Sequence, residues 1–140
     1  MSFDKIMAIG GTGLNAQLIR MNATASNLAN SGVVSATEDG AFRGQRAVFS
    51  ALLEGKTAGG FQGLYGGVKV ENIVNVDKPV EQIYEPGNPM ADANGYVYSS
   101  NVNEVEELVE MLDASRAYQN NVEVINTAKD LMKRTLDLIK

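Results

Sequence analysis

The chain has no cysteine and no histidine. Imidazole general bases, thiolate nucleophiles, disulfides and the usual zinc ligands are therefore missing together, and only carboxylates, Lys, Tyr and hydroxyls remain for any chemistry. That inventory disfavours an enzyme. Long hydrophobic runs are missing too: none approaches the ~20 apolar residues that a membrane-spanning helix needs. The opening residues, Met1-Ser2-Phe3-Asp4-Lys5-Ile6, lack a basic n-region, an unbroken apolar stretch and a small-residue cleavage site, so no cleavable secretory signal is expected. Without cysteine the compartment stays open, because a cytoplasmic chain and one exported by a signal-independent route both fit. Positive charge is scarce. Twelve Lys and Arg against 17 Asp and Glu give a formal charge of -5, which offers no electrostatic footing for nucleic acid.

What is present is 140 residues, 44% hydrophobic and 21% charged. This suffices for one modest domain, or for a shorter core carried between long helices, and is too apolar for a wholly disordered chain. The three prolines, Pro79, Pro86 and Pro89, all lie in the middle. Both ends are free to be helical. From about residue 3 to 30, Phe3, Met7, Gly10, Leu14, Leu18, Met21, Ala25 and Leu28 recur at gaps of three and four, and Ile6, Ile9 and Ile19 widen the stripe. Gly10, Gly11 and Gly13 each cost about 1 kcal/mol relative to alanine in a helix interior. Such a helix is marginal alone and needs a partner surface, which its small residues would let approach closely.

From about 101 to 140 a second stripe runs through Val105, Leu108, Leu112, Ser115, Tyr118, Val122, Ile125, Ala128, Met132, Leu136 and Ile139. Its period stays near 3.5, the repeat of a coiled-coil seam, over roughly 55 to 60 Å of helix. Asn101 with Glu104, or Asn103 with Glu106, offers a capping-box start. Acids (Glu104, Glu106, Glu107, Glu110, Asp113) crowd the first turns and Lys129, Lys133, Arg134 and Lys140 lie near the end, as the helix dipole favours.

Residues 32 to 100 read differently, with most glycines and several short β-like runs. Arg46 to Leu53 and Val68 to Val76, irregular near Asn72, form one expected pair, with Gly59-Gly60 and Gly66-Gly67 as turns. Val80 to Glu85 and Tyr96 to Tyr98 are two more short strand candidates, separated by Pro-Gly-Asn-Pro at 86 to 89 and by Asn94-Gly95. The expected architecture is α+β: an antiparallel coiled coil of residues 1–31 and 101–140, projecting a small β-rich insertion of 32–100 outward.

Signals for chemistry are weak. Gly10-Gly11-Thr12-Gly13 has no strand before it and no Gly-Lys-Ser/Thr, so helix packing explains it better than phosphate binding. Asp92, Asn94 and Gly95 lack the alternating ligands of a calcium loop and read as a turn. The acids at 104 to 110 have no His ligand and an ordinary electrostatic role at a helix start. Neither metal nor cofactor is expected. Two open stripes instead point to self-assembly, with Leu14, Leu18, Met21, Leu28, Leu108, Leu112, Tyr118, Val122 and Ile125 as subunit-packing candidates; pairing of the two helices within one chain is the plainer role for the same residues.

Three segments carry a family resemblance. Ala25-Ser26-Asn27-Leu28-Ala29-Asn30 closes the N-terminal stripe. Tyr84-Glu85-Pro86-Gly87-Asn88-Pro89-Met90-Ala91-Asp92-Ala93-Asn94-Gly95-Tyr96-Val97 is followed by Asn101-Val102-Asn103, and Ala114-Ser115-Arg116-Ala117-Tyr118-Gln119-Asn120-Asn121-Val122-Glu123 lies in the C-terminal stripe. Together these resemble the bacterial flagellar rod and hook family, with Ser31-Gly32-Val33 where the family often has a Thr-containing turn. The resemblance implies a structural subunit of the proximal rod, exported unfolded through the flagellar type III apparatus and assembled in the periplasm. It implies partnership with copies of itself, with other proximal and distal rod proteins and with the rod-base adaptor, and no small-molecule substrate. It also implies terminal helices packed as a coiled-coil layer around the export channel. A cytoplasmic coiled-coil adaptor would account for the helices but not for the run from Tyr84 to Val97; a carboxylate-dependent hydrolase has acids but no convincing pocket.

Overall fold

The computed structural model describes residues 3–52 and 66–138. The expectations for Leu53, Gly59-Gly60, Ile139 and Lys140 lie outside these residues. Among those described, the order is α1 (Phe3–Ala29), β1 (Val34–Ser35), β2 (Gln45–Ala51), β3 (Val68–Asn75), β4 (Glu81–Tyr84), β5 (Tyr96–Ser99) and α2 (Glu104–Leu138). The architecture is α+β, with two long paired helices and a small antiparallel β insertion.

At 27 and 35 residues, α1 and α2 are about 40 and 52 Å long. They run antiparallel. Gly10 faces Ile125, Gly13 faces Asn121, Arg20 pairs with Glu110, Asn27 meets Glu107, and Ser31 meets Glu104. On this register Phe3 lies near Met132, so the last turns of α2 extend beyond the described start of α1, and residues 131–138 are exposed.

The fully buried positions of the seam between the helices hold small and polar groups rather than large apolar ones. Ala16, Ala23, Thr24 and Asn27 are buried on α1, and Glu107 and Ala114 on α2. A Cβ built on Gly10 would sit 2.8 Å from Cγ1 of Ile125, and one on Gly13 would sit 3.0 Å from Nδ2 of Asn121. The glycines that weaken α1 as an isolated helix are thus what allow its close approach to α2.

Asn103 caps α2, its Oδ1 accepting from the N–H groups of Val105 and Glu106 at 3.0 and 3.3 Å. Of the two starts read from the sequence this is the one formed; Asn101 is used elsewhere. Replacing Asn103 by Ala is expected to cost about 1 kcal/mol of helix stability while Asp restores it, measurable as amide exchange in the first turn of α2.

The middle forms two sheets. β1, β5 and β4 pair antiparallel in that order, with Val97 of β5 fully buried. The strand β1 has no counterpart in the sequence pattern, since two residues give no period to detect. β2 and β3 form a separate ribbon whose register slips between Val48↔Asn72 and Phe49↔Val70, leaving Glu71 as the extra residue of a bulge. This is the irregularity seen in the sequence near Asn72.

The ribbon does not project outward as expected. Its base lies at Asn27, where Gln45 is bonded, and its far end lies at Thr12, whose Oγ1 accepts from Val68 N–H at 3.2 Å. Seven strand residues span about 23 Å, and the fifteen helix steps from Thr12 to Asn27 about 22 Å, so ribbon and helix match in length. Folding back gives the ribbon a surface to lie on, which an isolated two-stranded hairpin lacks.

The run from Tyr84 to Val97 is a loop that satisfies itself. Asp92 Oδ1 accepts from Asn94 N and Tyr96 N, Asn88 Oδ1 accepts from Met90 N, and Asn88 Nδ2 donates to Glu85. Glu85 N donates to Gly95 O, closing the loop. Gly95 has φ +85°, and a Cβ there would lie 2.9 Å from Tyr84 Cε2 and 3.3 Å from Pro86 Cα. Gly95→Ala is therefore expected to destabilise the β4–β5 hairpin by about 2 kcal/mol, read as faster amide exchange at Ile83 and Val97.

Candidate functional site

Three elements meet at a polar joint beneath the paired helices: the last turn of α1, the base of the ribbon and the first turn of α2. Asn27, fully buried, donates from Nδ2 to Gln45 O at 2.8 Å and to Glu107 Oε2 at 3.0 Å, and accepts from Gln45 N at 2.7 Å. The amide side chain completes a backbone pair that no strand supplies. Glu107, 3% exposed, also receives a two-pronged contact from Arg46, with NH1 at 2.8 Å from Oε2 and NH2 at 2.6 Å from Oε1. That hydrogen-bonded carboxylate holds the Arg46 guanidinium above its ordinary pKa. The cation is permanent.

Asn101 makes a second clamp. Its Oδ1 accepts from Gly44 N at 2.8 Å, and its Nδ2 donates to Val76 O and Lys78 O at 3.0 and 2.8 Å. Both ends of the ribbon's base are thereby tied to residues flanking the helices. Asn30 Nδ2 donates to Ser26 O, and Ser31 Oγ lies 2.9 Å from both Leu28 O and Glu104 Oε1, sharing its single proton between them. Ser31 thus supplies the hydroxyl of this turn.

None of this resembles a reacting centre. Four of the acids of the first turns of α2 are engaged structurally: Glu104 with Ser31, Glu106 with Lys78 at 3.6 Å, Glu107 with Arg46 and Asn27, and Glu110 with Arg20. Among the described residues no group of three or more acidic side chains is placed to hold a metal ion. Gly10 to Gly13 lie within continuous helix, and Asp92 to Gly95 form the turn described above.

What the surface offers instead is apolar area. Leu18, Leu108 and Leu112 are 46%, 49% and 58% exposed, and Val105 and Val109 are more open than half. Leu14, Met21, Leu28, Tyr118, Val122 and Ile125 are half-buried, Ile125 against Gly10. The large side chains at the start of α2 therefore face away from α1. Their spacing alone puts them in one stripe with the seam residues, whereas Glu107 and Asn27, polar and off that stripe, are the ones inside. A groove of ≈ 760 Å³ also opens between seam and ribbon, walled by Ile9, Gly13, Phe49, Val68, Ala117 and Val124. The carbonyl oxygen of the Gln17 side chain is buried with no hydrogen-bond partner among the described residues.

Paired terminal helices, the Asn27 joint and the self-closed loop coincide with the segments that carried the family resemblance. Residues 7–36 match the family described as flagella basal body rod protein, and residues 93–138 match the flagellar basal body rod FlgEFG protein C-terminal family. Over 139 residues the chain is 42% identical to the flagellar basal-body rod protein FlgC of Salmonella typhimurium, covering 99% of this chain and 98% of the relative. The chain belongs to the FlgC family of flagellar basal-body rod proteins. Its identity to FlgC of Escherichia coli O6:H1 is 44% over 138 residues, covering 99% and 98% of the two chains. FlgC of Borreliella burgdorferi is 34% identical over 143 residues, 94% of each. As a FlgC-family chain it is a structural subunit of the proximal rod, and the cytoplasmic adaptor reading is not favoured. The signature residues now have physical tasks: Asn27 bridges three elements, Asn30 closes α1, and Tyr84 packs edge-on against Tyr96 at 5.1 Å over Gly95.

Proposed function

We propose that the chain polymerises, with copies of itself and with related rod proteins, into the axial shaft that carries torque from rotor to hook around the export channel. The supporting observation is the contrast between inside and outside. Buried apolar residues among those described are few and mostly small (Ala16, Ala23, Ala41, Val97, Ala114), while Leu18, Val105, Leu108 and Leu112 face outward on the helices. Apolar area on this scale is ordinarily covered by a partner. Many shared helical contacts would transmit torque without chemistry, so the role is non-catalytic.

Export through the flagellar type III apparatus and assembly in the periplasm fit the same reading. Three glycines in α1 and a seam whose fully buried positions are small or polar make the helix pair easy to unfold for passage. Neighbours then offset its ordering entropy in the rod. Circular dichroism should show helix content rising from isolated to assembled protein; equal content in both would remove the coupled-ordering step. The role itself is tested by clean deletion, with electron microscopy of isolated basal bodies and motility scored in the same strain. Ring remnants without rod and hook, restored by the wild-type gene, are expected. Complete rotating flagella would overturn the assignment.

A further inference from the structure

We propose that the C-terminal overhang of α2 in one copy docks on the exposed ridge at the start of α2 in a second copy, head to tail. This rests on the rod reading and names one of its contacts. Met132 and Leu136 continue the row of Ile125 and Ala128, which faces α1, but lie at or beyond the level of Phe3 on the helix register, and both are exposed. A surface built as a seam is thus left, among the described residues, without its opposite side.

The ridge is the complementary part. Leu108 and Leu112, with Val105 and Val109, form one row at i, i+3, i+4 and i+7 on the side of α2 away from α1. Charge decides the pairing. Every charged residue from 104 to 113 is an acid, with Asp113 exposed beside the ridge and Glu106, which pairs with Lys78 at 3.6 Å, at its edge; Arg116, the next residue of the row, is an exposed base there. On the overhang Lys129 and Lys133 are exposed beside Met132 and Leu136, whereas Asp130 and Asp137 fall about 100° or more around the helix from that row. Apolar row meets apolar row with lysines against carboxylates.

Ridge and overhang lie about 37 Å apart along α2, so the contact joins different surfaces on the two copies. A heterologous contact of this kind does not end at a two-fold dimer; it repeats, into an open helical array wherever its rotation does not close a ring.

Because the chain has no cysteine, introduced thiols are unique. In the full-length protein, Leu112→Cys mixed with Leu136→Cys should give a mixed dimer with a short bismaleimide at least tenfold above either symmetric product. The double variant L112C/L136C should give a ladder. Symmetric L112C dimers as the main product would sink the proposal. So would a mixed product no stronger than the background from wild-type protein, which carries no thiol.

Charge reversal then separates docking from folding. Lys129→Glu with Lys133→Glu should cut the mixed product at least tenfold, and adding Glu106→Lys with Asp113→Lys on the other copy should restore it, with unchanged circular dichroism throughout. Failure of that restoration would overturn the pairing even if the first loss is seen. In isolated basal bodies, a photoreactive maleimide placed on the 112 or the 136 thiol should capture a second copy; capture of a different rod protein instead would refute this occupant. Rods missing in the deletion strain, with no cross-link between copies in basal bodies that carry the two thiols, would leave the rod reading standing and this contact refuted. A deletion strain with complete flagella refutes the rod reading itself.

Discussion

Arg46→Ala is expected to destabilise the chain by about 3 kcal/mol, the cost of leaving a buried charge without its partner. Glu107 is buried, and its two-pronged contact with Arg46 is its one ion pair among the described residues. Without the guanidinium, the carboxylate keeps only the Asn27 amide bond at 3.0 Å. The reverse substitution, Glu107→Ala, should cost less. Arg46 has a side chain 37% exposed and can turn to water. Asn27 would keep both of its bonds to Gln45. The double variant should therefore be more stable than Arg46→Ala alone, giving a positive coupling in a double-mutant cycle. Urea unfolding followed by helical ellipticity measures all three. Equal losses for the two single variants would mean that Glu107 reaches water on its own and that the joint holds no buried charge.

The second large effect separates the two faces of the helices. Leu18→Lys puts a charge where the side chain is already half exposed, so monomer stability should change by no more than about 0.5 kcal/mol. On the proposed assembly role, flagellation in a complemented deletion strain should nevertheless be lost. Ile125→Lys should damage both. Ile125 packs against Gly10, where a built Cβ would already be 2.8 Å away, and a lysine there must bury its charge or part the helices. Comparing swimming with the unfolding curves of purified protein sorts the roles. Normal flagella with Leu18→Lys would remove this face from assembly. A Leu18→Lys monomer that unfolds early would show that the leucine supports the chain itself.

Much of this organisation is visible in the residues before any coordinates. The gaps of three and four at each end, the absence of proline there, and the glycine-rich middle specify two helices around a β insertion. The weak spot near Asn72 becomes a bulge, and the Asn103 cap is one of two starts on offer. Hydrophobic period locates the helices correctly but not their contact. It assumes that large apolar residues meet, whereas close approach here selects Gly10, Gly13, Ala16, Ala23 and Ala114, with Asn27 and Glu107 paired inside. Small size is no hydrophobic signal. Asn101 likewise reads as a cap because its side-chain chemistry is the same for a helix start and for a clamp on Gly44, Val76 and Lys78.

The two helices, the four longer strands, their order and the family follow from the residues alone, because each depends on local pattern or on a run of unusual composition such as Tyr84 to Val97. Three outcomes appear first in the packed chain: the ribbon folds back along α1, Asn27, Arg46 and Glu107 close a joint, and Leu108 and Leu112 face outward. The first two depend on which groups can satisfy one another across 18, 61 or 80 residues of chain, and the third follows from them. Local periodicity does not encode such long-range pairing, since the hydrogen-bond partners are chosen by packing distance and by the cost of leaving a buried polar group unpaired.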